Sequence, residues 1–321
     1  MGIVGMRIVG VILAAAALSA GAQSYPTKPV RIIITFPPGS ATDVVGRVVA
    51  LKLTELWGQN VLTDNRGGAG GSIGTAIGAR ANPDGYTLIV NSNAHAINPS
   101  TYASLPYDTL KDFTDISPLV GTPNALVVHP NSKIRSVKEL IADAKARPGK
   151  INFASAGIGS ATHMNLEKFN LATGIDVAHI PYKGTAEVVT DMLGGRVDYY
   201  WAPVSAAISF IRENRLRALA VSSAKRSSQL PDLVTVAESG VPGFDFQLWF
   251  GLWGPAGIPP AIVAKIRTDV ARALDSQDTR TRMAALAAEN MDVKPADFPK
   301  FVRREIQDYA QIIKAAGIKP Q

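Results

Sequence analysis

Two stretches of the chain carry glycines and hydroxyls at a spacing suited to holding an anion. Phe36-Pro37-Pro38-Gly39-Ser40-Ala41-Thr42-Asp43 follows the apolar run Arg31–Ile34, and Ser155-Ala156-Gly157-Ile158-Gly159-Ser160-Ala161-Thr162-His163 follows Ile151–Ala154. Each reads as a strand, a Gly/Ser loop and the start of a helix. The first N–H groups of a helix have no acceptor within it, and the helix dipole adds about half a positive charge there. Such a turn holds a carboxylate without needing Arg or Lys. Two of them in one chain suggest two lobes, each gripping a small acidic ligand. The candidate contacts are Ser40, Ala41 and Thr42 in the first loop and Ser155, Gly157, Gly159 and Ser160 in the second.

Other patterns carry less. Ser40 with Asp43 fits a capping box, so Asp43 is expected to be structural, because a carboxylate facing the ligand would repel it. Gly157-Ile158-Gly159 begins like a dinucleotide fingerprint, but Thr162 stands where its third glycine belongs. Gly70-Gly71-Ser72-Ile73-Gly74 matches the nucleophile elbow of hydrolases inside a glycine-rich run. No histidine–acid context supports it, and no catalytic residue is assigned. His163 and Glu167 lie one helical turn apart without a third metal ligand, so no metal or cofactor is expected. His163 either supports its loop, the favoured reading, or donates to the ligand. Asn91 and Ser92, with Asn93 and His95 after them, follow a strand where ligands of parallel sheets collect; they supply polar contacts or form a plain turn.

The elements needed to position these groups alternate. Strands are expected at Val30–Ile34, Val61–Thr63, Tyr86–Asn91, Ala125–His129, Ile151–Ala154, Asp176–Ile180, Val197–Trp201 and Leu216–Ser222. Helices are expected at Val44–Leu56, Ser72–Ala81, Ser136–Ala146, up to Thr173, Ala186–Leu193, Pro260–Asp275 and Ala296–Ala316. The alternation argues for α/β layers with mostly parallel sheets. Between residues 230 and 260, prolines punctuate an aromatic cluster of Phe244, Phe246, Trp249, Phe250 and Trp253. The chain crosses between lobes near residues 120–125 and 245–250, giving a discontinuous first lobe (24–123 plus 249–321) and a continuous second lobe (124–248).

With 321 residues, 46% hydrophobic and 18% charged, the chain has material for two globular domains. Its net charge of +7 is scattered, Lys225-Arg226 and Arg303-Arg304 being the tightest pairs, so no nucleic-acid partner is expected. At the N-terminus, Arg7 precedes the apolar stretch Ile8–Leu18 and Ala20-Gly21-Ala22 gives a cleavage site before Gln23. Residues 1–22 thus read as a signal peptide, and a bacterial periplasm is the expected location. The absence of cysteine excludes disulfides and a lipid-modified N-terminal Cys.

From about Tyr25 to its end the chain resembles the substrate-binding proteins of the tripartite tricarboxylate transporter family, often called the Bug family. The resemblance rests on the two loops, on Asn65-Arg66-Gly67-Gly68-Ala69-Gly70-Gly71 and on Pro83-Asp84-Gly85-Tyr86-Thr87-Leu88. It continues in His179-Ile180-Pro181-Tyr182-Lys183-Gly184, Gly194-Gly195-Arg196-Val197-Asp198 and Trp249-Phe250-Gly251-Leu252-Trp253-Gly254-Pro255-Ala256-Gly257. It implies a two-lobed, periplasmic-binding-protein-like α/β fold (a Venus flytrap), each lobe a mixed sheet flanked by helices. It further implies a carboxylate gripped by the two loops, with ordered waters bridging to the sheets. Tyr182, Lys183 and Gly184 would line the cleft, with Trp201 and Trp249 as walls. The implied function is capture of a di- or tricarboxylate, without enzyme activity, and delivery to membrane transporter subunits by a monomer. A sensory role towards a membrane kinase would use the same cleft, and a hydrolase or lyase acting on small acids is the remaining rival. Two departures stand out: Ser40 and Ser72 occupy positions where the family commonly has Gly and Asn.

Overall fold

The structure, a computed structural model, describes residues 25–320. The expected signal peptide lies outside the described residues. Strand β1 (Val30–Ile34) leads through the first Gly/Ser loop into helix α1 (Ala41–Trp57), and β2 (Val61–Asn65) leads into α2 (Ser72–Ala79). Strand β3 (Thr87–Ser92) is followed by α3 (Ala94–Thr101) and the long strand β4 (Phe113–Val128). Next come α4 (Val137–Ala146), β5 (Asn152–Ser155), α5 (Ala161–Thr173), β6 (Ala178–Pro181) and α6 (Thr185–Leu193). Strand β7 (Tyr199–Pro203), α7 (Val204–Arg212), β8 (Arg217–Val221) and β9 (Gln247–Pro255) complete the middle of the chain. Helices α8 (Pro260–Asp275) and α9 (Gln277–Ala285), the short strand β10 (Glu289–Asn290) and α10 (Phe298–Ala315) finish it.

The strands form a curled, mixed sheet in the order β2-β1-β3-β9-β4-β7-β5-β6, with β8 and β10 both on β4. Parallel pairing is confined to β1 with β2 and β3, and to β5 with β6 and β7. Every pairing of β4 or β9 is antiparallel, which corrects the expectation of mostly parallel sheets. Strand β4 joins the two halves: residues 113–123 pair with β9, and residues 124–128 pair with β7 and β8.

Sequence and structure agree where caps are local. Ser40, Ser136 and Ser160 each accept, through Oγ, the N–H three residues on. Glu139 reaches back past the cap to accept from the Arg135 N–H at 2.7 Å. Three helices, strands β9 and β10, and most of β4 were not expected. Helix α3 holds Pro99, which reads as a breaker. Helix α7 follows directly from a strand, and α9 is mostly polar and therefore lacks an apolar stripe. Strand β9 is buried on both faces after its first residue, so it shows no alternation.

Buried histidine makes the fold acid-sensitive. His95 is fully enclosed between the Phe113 and Trp253 rings, and burial alone pushes its pKa down to about 3. Burial, together with the stacked His163, does the same to His179. Both bind protons more weakly folded than unfolded, so stability is lost as pH falls below the unfolded value of about 6.5. Between pH 6.5 and 5 each contributes a loss of about 2 kcal/mol. Urea unfolding at the two pH values is expected to show the drop, and His95→Phe is expected to remove about half of it.

Candidate functional site

The starts of α1 and α5 face one another across a single narrow cleft. Its lining is Phe36, Ser40, Ala41, Thr42 and Ser92 on one side and Ala156, Ser160, Ala161, Thr162, Thr185 and Pro203 on the other, with Leu248 between. None of these side chains is charged. In the first loop Ser40 donates its N–H to the Pro37 carbonyl at 3.2 Å, and its Oγ takes the Asp43 N–H at 3.2 Å. The Ala41 and Thr42 N–H groups then have no acceptor among the described residues. The second loop repeats the arrangement: Ser160 N–H to Gly157 carbonyl at 3.1 Å, His163 N–H to Ser160 Oγ at 3.2 Å. Among the described residues, the Ala161 and Thr162 N–H groups are then left without an acceptor. Four oriented backbone donors and two helix dipoles therefore converge on one space, and charge enters it only as dipole.

The surroundings hold these loops rigid. Asp43 is structural, as expected. Its carboxylate accepts from Gly39 N–H at 2.9 Å, Arg47 Nε at 2.8 Å and Asn65 Nδ2 at 2.9 Å, so it is turned away from the cleft and neutralised. In the second loop Thr162 Oγ1 accepts the Ala156 N–H at 2.9 Å, and Ser155 Oγ lies 3.1 Å from the Gly157 N–H and 2.6 Å from His179 Nε2. His163 Nδ1 accepts from the Gly159 N–H at 3.4 Å, while Nε2 lies 3.5 Å from Glu167. His163 thus supports the loop.

Several expected contacts stand elsewhere. Asn91 is fully buried and its amide is committed: Oδ1 accepts from Thr35 Oγ1 at 2.8 Å, and Nδ2 donates to Thr75 Oγ1 at 3.0 Å. It ties β1 to α2. Tyr182 donates its hydroxyl to Asp191 at 2.7 Å, and Lys183 is exposed, its N–H bonded to Glu187 at 3.2 Å; neither lines the cleft. Gly184 caps α6 and abuts Pro37 of the facing loop, where an added Cβ would sit 3.0 Å from the proline ring.

The two tryptophans are core residues rather than walls. Trp201 is fully buried, stacked on Phe244 at 6.0 Å and edge-on to Phe169. Trp249 points from the face of β9 opposite Leu248, donating Nε1 to Glu305 at 2.6 Å. Glu305 is largely enclosed there, and burial raises its carboxyl above the usual range. Trp201→Ala is accordingly expected to cost about 3–5 kcal/mol in urea unfolding. Ligand affinity of the folded fraction, read by calorimetry, is expected to stay unchanged.

Phe36, Ala156, Ala161, Thr185, Pro203 and Leu248 line the cleft and were not among the expected contacts. Thr185 opens α6 and Pro203 precedes α7, so two further helix starts border the cleft. The strand-to-helix logic that found the two main loops applies to both positions.

The cavity between the loops is about 20 Å³, room for one water molecule. An organic acid therefore enters only when the loops part. The matching surfaces are close: a Cβ on Gly70 would lie 2.2 Å from the Ile158 carbonyl, and one on Gly39 would lie 3.8 Å from Ala186 Cβ.

Known proteins share this fold. The sequence profile described as "Tripartite tricarboxylate transporter family receptor" matches residues 45–318. Protein BugT of Bordetella pertussis is 38% identical over 318 residues, 98% of each chain. An R. palustris protein solved with adipate is 34% identical with a TM-score of 0.89, over 92% of this chain and all (100%) of that one. The periplasmic binding protein BugD superposes with a TM-score of 0.88 at 34% identity, over 92% of this chain and 100% of its own. MatC from Rhodopseudomonas palustris, solved with bound malate, is 30% identical with a TM-score of 0.85, covering 90% of this chain and 100% of its own.

Proposed function

Because this chain belongs to the tripartite tricarboxylate transporter receptor family, a family of solute receptors and not enzymes, we propose that it captures a small aliphatic carboxylate between two lobes in the periplasm. The observation that carries this reading is the uncharged cleft lined by the starts of α1 and α5. One carboxylate group docks on the N–H groups of Ala41 and Thr42 on one lobe. Closure then brings up Ala161 and Thr162 from the other. The lobes are residues 24–123 with 249–321, and residues 124–248, hinged where β4 and β9 cross.

The lining also supports one ligand class. Phe36, Ala156, Pro203 and Leu248 offer an apolar wall for methylene groups, while Ser92 and Thr185 offer hydroxyls for a second polar end. An aliphatic diacid matches both, and adipate and malate occupy the relatives named above. A hydrogen bond to a charged acceptor contributes roughly 1.5–3 kcal/mol, so four of them supply roughly 6–12 kcal/mol before the entropy of association, and burial of the methylene groups adds to this. Closure presents a joined surface of both lobes, and this closed form is what the membrane transporter subunits receive.

The test is a thermal-shift screen of unfolded and refolded protein against mono-, di- and tricarboxylates, followed by calorimetry. A rise in melting temperature of several degrees confined to aliphatic diacids is the expected result. A shift with amines or sugars and none with carboxylates contradicts the proposal.

A further inference from the structure

The backbone of the second loop is held by residues that touch no part of the ligand cavity. Tyr102, at the end of α3, donates its hydroxyl to the Ile158 carbonyl at 3.1 Å, across the cleft from one half of the molecule to the other. Asn98, one turn earlier, donates Nδ2 to the Gly70 carbonyl at 3.3 Å, fixing the glycine turn that meets the same Ile158 carbonyl. Asn98 Oδ1 is buried without a partner among the described residues. A Cβ on Gly159 would lie 2.6 Å from that oxygen, 2.8 Å from Thr101 Oγ1 and 3.2 Å from the Tyr102 ring. Ile158 and Gly159 therefore sit in a slot formed by α3 and Gly70, and only a residue lacking Cβ fits at 159. The slot is absent from the lining of the cleft itself.

We propose that Tyr102 is a positioning residue: with Asn98 and Gly70 it clasps the backbone of the second anion-binding loop and so sets how long the closed receptor stays closed. The inference rests on the closing-receptor reading above. The clasp forms only after the lobes have met, so it acts on opening and not on encounter. Ligand contributes on one side of Ser160 through the Ala161 and Thr162 N–H groups, and the clasp contributes on the other through Ile158 and Gly159. Two receptors with identical cavity linings would then release the same acid at different rates if their clasps differed.

The chain has no cysteine, so cysteines at two exposed positions, Arg80→Cys just after α2 and Lys145→Cys on α4, give a clean pair for spin labels. Inter-label distances are measured in this background and with Tyr102→Phe added, free and with saturating adipate; stopped-flow gives adipate rates. Tyr102→Phe keeps the ring against Gly159 and removes one neutral hydrogen bond. The closed population is expected to fall and adipate dissociation to quicken, each by roughly 2- to 12-fold, with the association rate unchanged. Unaltered distances with unaltered dissociation overturn the clasp, as does a slower association accounting for all of any affinity loss. Distances that shift towards the open form in a protein that binds no adipate support the clasp and contradict adipate as ligand.

Discussion

Ala161→Pro is expected to lower carboxylate affinity about 100-fold while leaving the fold intact. Ala161 is the first residue of α5, and its N–H has no acceptor among the described residues. Proline is favoured at that helical position, since the hydrogen it lacks serves no intrahelical bond and its fixed φ suits the helix. The residue before a proline must be extended, and Ser160, with φ −79° and ψ 159°, already is. The substitution therefore deletes one donor and puts a ring methylene where a carboxylate oxygen would sit. Loss of a hydrogen bond to a charged group alone is worth about 10- to 150-fold. Ala41→Pro is the counterpart on α1, where Ser40 has φ −71° and ψ 160°. Calorimetry gives the affinity and a melting curve gives the fold. A proline variant that melts normally and binds as tightly as the parent removes these N–H groups from the account.

Gly70→Ala is expected to abolish tight binding by another route, blocking closure while the donors stay in place. The added Cβ would stand 2.2 Å from the Ile158 carbonyl oxygen. That oxygen belongs to the backbone of the facing loop, so it cannot rotate aside, and the lobes must stop short. The acid then meets only one loop. Losing two charge-assisted hydrogen bonds corresponds to an affinity at least about 100-fold weaker. Gly70 has φ +58°, so alanine also costs about 1–2 kcal/mol of backbone strain and a few degrees of melting temperature. Solution scattering separates the effects, because a strained but closing variant contracts with ligand and a blocked one does not. Full contraction with parental affinity contradicts the steric argument.

The two candidate loops are legible in the sequence because their signal is local. Ser40 and Ser160 reach only three residues along the chain, and the glycines beside them mark the turns. What is set by distant partners was not legible. Asn91 looks like a ligand contact at the end of a strand, but Thr35 and Thr75 consume its amide from 56 and 16 residues away. Trp249 and Leu248 are neighbours on a strand with no alternation, so sequence leaves open which of them faces the cleft; the structure turns Leu248 to it. Trp201 reads equally well as a wall or as core, and Phe169 and Phe244 decide for the core. The glycine run that matched a hydrolase elbow has its meaning only against Ile158, on the opposite loop.

The central claim is that backbone N–H groups at two helix starts hold a carboxylate. It is tested most directly by amide nuclear magnetic resonance during a titration with adipate, with malate in parallel. The amide protons of Ala41, Thr42, Ala161 and Thr162 are expected to move downfield together, more than any others, and to saturate with one binding curve. Saturable binding that leaves these four amides in place, with the largest shifts elsewhere in the protein, would contradict the claim.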